Sequence, residues 1–84
     1  MNLIDVKKFV DKKSFVIEIF GLGYVGFPLA VRLSTAGFRV IGIDVNSERI
    51  DRLEKNNLMD SEIYLKNKFV LSREKGNLKL RKES

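Results

Sequence analysis

The 84-residue chain contains no cysteine, no histidine and a single proline, Pro28. Without cysteine there are no disulfides, no thiolate nucleophile and no thiolate-held metal. Without histidine the commonest general base and metal ligand is missing. No apolar run approaches the roughly 18 residues that a membrane span needs. The N-terminal stretch MNLIDVKKFVDKKS scatters charges among its apolar residues and so lacks the apolar core of a signal peptide. These gaps leave few tools for chemistry, and a cytoplasmic location is the default expectation.

What is present fits a small globular domain. Hydrophobic residues make up 44% and aromatics 10%, more than a disordered segment carries. A chain this short forms one domain at most and buries roughly two-thirds of its unfolded surface. Sixteen basic against eleven acidic residues give a net charge of +5. The excess sits in residues 63–84, where Lys66, Lys68, Arg73, Lys75, Lys79, Arg81 and Lys82 face only Glu74 and Glu83. Such a segment can touch nucleic acid or anionic lipid. No aromatic–basic interleaving or nucleic-acid module accompanies it, so it reads as a solvated polar face and tail.

Periodicity divides the chain into alternating elements. Leu3, Ile4, Val6, Phe9 and Val10 recur at near-helical spacing, predicting a short amphipathic helix over an N-terminal extension, residues 1–14. SFVIEIF, residues 14–20, is β-branched and aromatic and predicts a strand. From about Tyr24 a helix follows with Val25, Leu29 and Leu33 as its apolar positions. It ends at Gly37 and tolerates Pro28 near its first turn. FRVIGID, residues 38–44, predicts a second strand, apolar enough on both faces for a buried parallel sheet. Ser47 is the expected N-cap of a helix over ERIDRLEKNN, with Ile50 and Leu53 inward. Residues 62–76 predict a further helix with Ile63, Val70 and Leu71 on one side. NLKLRK alternates as a last strand. The expected fold class is therefore α/β. Residues 15–84 form a βαβαβ unit with parallel strands, which is one half of a three-layer, Rossmann-like dinucleotide fold.

The stretch IFGLGYVGFPLAVRL carries G-x-G-x-x-G at Gly21, Gly23 and Gly26. In this motif the first glycine turns the chain out of the strand. The second lets a pyrophosphate approach the backbone, and the third lets helix and strand pack closely. The new helix offers free N–H groups near Tyr24 and Val25, and its positive dipole end, to phosphates. Asp44 ends the next strand, where a carboxylate can hold adenosine ribose hydroxyls and repel a 2′-phosphate, favouring NAD over NADP. The bland alternative is a turn that merely packs a helix on a strand, with Asp44 a turn residue. No Gly-Lys-Ser/Thr follows, so this is not a Walker A loop.

IFGLGYVGFPLAVRLSTAGFRVIGIDVNSERID resembles the opening of the UDP-glucose/GDP-mannose (nucleotide-sugar) dehydrogenases. The resemblance runs over about residues 15–57, with Tyr24, Val25 and Pro28 narrowing it beyond the bare glycine pattern. It implies NAD as cofactor, held by Gly21, Gly23, Tyr24, Val25, Gly26 and Asp44, with Arg49 near the adenosine. For Arg49 the alternative is a helix residue paired with a nearby acid. The N-terminal helix expected before the first strand and the SEIY stretch after the second helix resemble the branch acting on UDP-N-acetyl-hexosamines. The family oxidises a sugar C6 alcohol to a carboxylate in two NAD-dependent steps through a catalytic cysteine, and this chain has none. Where the family continues with a Thr-Thr-Asp-like stretch, it reads LRKES. The expectation is an NAD-binding N-terminal piece without catalysis of its own. The alternatives are an interaction module that dimerises or docks onto a full-length relative through an exposed sheet edge, and nucleic-acid binding through residues 63–84.

Overall fold

A computed structural model describes residues 14–83. The elements run β1 (Val16–Phe20), α1 (Gly26–Thr35), β2 (Arg39–Asp44), α2 (Ser47–Glu54), a 3-10 helix (Asp60–Leu65), α3 (Lys66–Glu74) and β3 (Leu78–Lys82). The strands are parallel in the order β1-β2-β3, with Glu18 beside Ile41 and Ile41 beside Lys79. This is the expected βαβαβ unit. The helix expected in residues 1–14 lies outside the described residues, apart from Ser14.

Alternation along the strands sorts the sheet into two unlike faces. Ile17, Ile19, Val40, Leu78 and Leu80 join a core built from Phe27, Ala30, Val31, Ile50, Leu53, Leu65 and Phe69, drawn from all three helices. The rings of Phe27 and Phe69 tilt against each other with centroids 5.2 Å apart, tying α1 to α3. The opposite face carries Val16, Glu18, Phe20, Arg39, Ile41, Lys79 and Arg81. Phe20 is 62% exposed there, and Arg81 Nη2 reaches across β2 to Glu18 Oε2 at 3.2 Å. The three layers expected from the sequence are thus two among the described residues, with helices on one face.

Helix boundaries differ from expectation at three places. Asn46, rather than Ser47, caps α2, because its Oδ1 accepts the Arg49 N–H at 3.0 Å. α1 buries Phe27, Ala30, Val31 and Ser34, leaving Val25 and Leu29 exposed. Residues 62–76 are not one helix. The 3-10 turn ending at Leu65 resets the phase, so α3 buries Phe69 and Ser72 while Ile63 and Leu71 stay exposed. Ile50 and Leu53 are buried as expected.

The basic segment is partly spent on internal contacts. Arg73 Nη1 donates to the carbonyls of Leu53 and Glu54 and to Asn56 Oδ1, while Nη2 pairs with Glu54 at 2.5 Å. Its guanidinium also lies 5.6 Å from the centroid of the Phe69 ring. Arg81 is paired with Glu18 and Lys82 with Asp51. A residue that gathers the carbonyls at a helix C-terminus in this way is a structural clamp.

Candidate cofactor site

The β1–α1 turn is built by its glycines. Gly21 adopts φ +94°, a conformation that costs a side-chain-bearing residue energy, and its N–H donates to the Ile43 carbonyl at 2.7 Å. A Cβ on Gly26 would overlap the Gly21 carbonyl oxygen, so no side chain fits where α1 meets the turn. A Cβ on Gly23 would meet nothing within 4 Å. That open space is what the backbone needs if a ligand is to approach it.

α1 starts without a cap. Its first i→i−4 bond runs from the Phe27 N–H to the Gly23 carbonyl at 3.1 Å, so the N–H groups of Tyr24, Val25 and Gly26 precede the ladder. No side chain caps this end and no acidic residue sits in its first turn. Neither a side-chain cap nor a first-turn acid therefore offsets the positive end of this helix. The side chains of Tyr24 and Val25 contribute differently. Tyr24 is 92% exposed, and both line a cavity of about 540 Å³ with Pro28, Arg32, Glu62 and Tyr64 on the outer flank of α1.

Asp44 stands beside the turn and is tied to it. Its side chain is 4% exposed. Oδ2 accepts the Leu22 N–H and Arg49 Nη1, each at 2.8 Å, and Oδ1 accepts the Asn46 N–H at 2.9 Å. Burial alone pushes the carboxyl pKa up. The N–H groups of Asn46 and Leu22 and the Arg49 guanidinium outweigh it and hold the group below its ordinary 3.8. Gly21, Gly23, Gly26, Asp44 and Arg49 are thus gathered at one end of β1 and β2, where the strands' carboxyl ends meet the helix starts.

Three residues at this site were not singled out in the sequence. Leu22 is fully buried, and its Cδ atoms lie where a Cβ on Gly42 would come within 2.9 Å, so the leucine plugs onto a strand glycine. An isolated glycine within a strand run is the signal that could have found this contact. Asn46 both caps α2 and donates to Asp44. Among the described residues there is no group of three or more acidic side chains placed to hold a metal ion, and no helix is long and apolar enough to cross a membrane.

Comparison with known proteins adds to this geometry. Residues 15–84 match the model of the UDP-glucose/GDP-mannose dehydrogenase family, NAD binding domain. A UDP-N-acetyl-D-mannosamine dehydrogenase of Methanocaldococcus jannaschii is 36% identical over 64 residues, covering 76% of this chain and 15% of that protein. The GDP-mannose 6-dehydrogenase of Pseudomonas aeruginosa is 54% identical over 39 residues, 46% of this chain and 9% of the other. The solved UDP-N-acetyl-mannosamine dehydrogenase of Staphylococcus aureus superposes with a TM-score of 0.73 at 29% identity, over 79% of this chain and 16% of that one. The chain therefore spans about 15% of the length of the curated relatives it matches first.

Proposed function

The chain belongs to the UDP-glucose/GDP-mannose dehydrogenase family through that family's NAD-binding domain, and from this premise we propose that it binds the ADP portion of NAD. The observation that carries the reading is the uncapped start of α1, with Gly23 open to approach and Gly26 closed against Gly21. The N–H groups of Tyr24, Val25 and Gly26 hold the pyrophosphate, and Gly21 shapes the turn. Asp44 holds the adenosine ribose through Oδ1, which has one donor and keeps accepting capacity. Arg49 sits near the adenosine. NAD supplies a hydride acceptor when bound, and these residues bind and orient it.

The reaction we assign to the parent enzyme is NAD-dependent oxidation of a nucleotide sugar's C6 alcohol to the carboxylate. The relatives named as UDP-N-acetyl-D-mannosamine dehydrogenases favour a UDP-N-acetyl-hexosamine as that sugar. These 84 residues contain no cysteine, so their share of the reaction is cofactor binding in the cytoplasm, without catalysis of their own. Isothermal titration tests the reading. Weak binding at millimolar NAD is expected, because the nicotinamide pocket belongs to the second half of such a fold. A folded circular dichroism spectrum with no heat at that concentration would overturn it.

The edge position of β1 favours a second reading, an interaction module that dimerises or docks onto a full-length relative. β1 has one strand neighbour among the described residues, and its Val16 and Phe20 are exposed. An apolar edge of this kind invites pairing. Sedimentation of a concentration-independent monomer would remove that reading.

A further inference from the structure

We propose that residues 1–13 fold back as an amphipathic helix onto the bare face of the sheet and supply the layer that the described residues lack. The proposal is independent of the dinucleotide reading, because it concerns a face of the sheet and not the carboxyl ends of its strands. A parallel sheet is ordinarily covered on both faces, each of which is apolar. Here the helices pack on one face, and the other carries Val16, Phe20 and Ile41, with Val16 and Phe20 exposed. Apolar surface left open in this way marks a contact site.

The occupant is in the chain itself. Residues 1–13 lie outside the described residues and lead directly into β1 through Ser14 and Phe15. At helical spacing Leu3, Val6, Phe9 and Val10 share one stripe, Lys8 and Lys12 fall on the opposite side, and Ile4 lies off the stripe. A helix of about ten residues is roughly 15 Å long at 1.5 Å per residue. Three strands spaced about 4.8 Å apart present a face roughly 10 Å across between the outer strand axes. One such helix covers it.

Three features favour this segment over a separate molecule. The link to β1 is only Ser14 and Phe15, so the segment is held beside the sheet at high effective concentration and loses little entropy on closing. A hollow of about 70 Å³ between Val16, Arg39, Ile41 and Lys79 is placed to receive an apolar side chain from it. The charges also correspond. Asp5 borders the stripe on one side and Lys7 on the other, while the face carries Glu18 on β1 against Arg39 and Lys79 on β2 and β3.

The chain has no cysteine, so Lys8→Cys takes a nitroxide spin label at a single site, on the side away from the stripe. In ¹⁵N-labelled chain carrying that label, the amide signals of Arg39, Ile41 and Lys79 should broaden, although they are distant from residue 8 in sequence. Those of α1 and α3, behind the sheet, should persist. Adding Phe9→Asp and Val10→Asp to the labelled chain should restore the broadened signals. Both changes fall outside Val16–Lys82 and leave the βαβαβ unit intact. Signals of β2 and β3 that stay sharp overturn the proposal, as does broadening concentrated in α1 and α3 or unchanged by the two aspartates. Broadening in ¹⁵N-labelled chain mixed with spin-labelled chain lacking ¹⁵N makes a second copy the occupant and overturns it too. None of these outcomes bears on NAD binding.

Discussion

The β1–α1 and β2–α2 turns solve one problem in opposite ways. In each, one residue's carbonyl accepts the first helical hydrogen bond: Gly23 from Phe27 at 3.1 Å, and Asn46 from Ile50 at 3.2 Å. Asn46 also has a side chain, which accepts the N–H three residues on, and Glu48 adds an acid to the first turn of α2. Gly23 has no side chain, and α1 has no acid in its first turn. One helix satisfies its own positive end, and the other leaves it open. The third residue past each cap differs to match. Gly26 presses against the Gly21 carbonyl, whereas Arg49 reaches back to Asp44. A helix start left bare beside a self-sufficient one is the contrast on which the proposed pyrophosphate site rests.

Four substitutions test that contrast, in falling order of effect on stability. Gly26→Ala forces a methyl group into the Gly21 carbonyl and should cost about 3 kcal/mol or more, the top of the overpacking range. Urea denaturation reads it, and a midpoint shift under about 1 kcal/mol would show that the turn is not closed as described.

Asp44→Asn ranks second. It strips the charge that Leu22, Asn46 and Arg49 all address and should cost about 2 kcal/mol at neutral pH. The folded carboxyl titrates below its ordinary 3.8. Its contribution is therefore fully present above the unfolded value and is lost as pH falls through the lower folded one. Denaturation at pH 7 and at pH 3 should show the gap between natural chain and variant narrowing on acidification.

Asn46→Ala removes the cap of α2 and should cost about 1 kcal/mol. Gly23→Asn transplants that cap into the first turn and should change stability by only a few tenths of a kcal/mol. It should nevertheless abolish the NAD-induced amide shifts, because the side chain then occupies the N–H groups and the approach path. NAD binding retained by this variant would break the comparison outright.

The sequence was most legible where geometry leaves residue type no freedom. Gly21 needs a positive φ and Gly26 has no room for a Cβ, so both survive as letters in the chain. The helix faces were less legible. α1 is apolar almost all round, from Phe27 through Val31 to Leu33, so spacing alone did not choose between the Val25–Leu29 stripe and the buried Phe27–Val31–Ser34 set. In residues 62–76 the 3-10 turn changed the period mid-run, and a single 3.6-residue template could not follow it. Arg73 read as one more solvated charge, because its partners Leu53, Glu54 and Asn56 lie 17 to 20 positions away. The open face of the sheet was not read from the sequence, although the alternating LKLRK of β3 is a half-buried pattern.

Glu18 has a consequence beyond its pairing with Arg81. It is the only charge in β1, VIEIF, one of the two edge strands of the sheet among the described residues. Five residues of high β-propensity without a charge would be a template for fibril growth, and a central acid is the usual gatekeeper against it. Glu18→Val would lengthen the apolar run without touching the core, and the chain's solubility, rather than its fold, would be the first property to suffer.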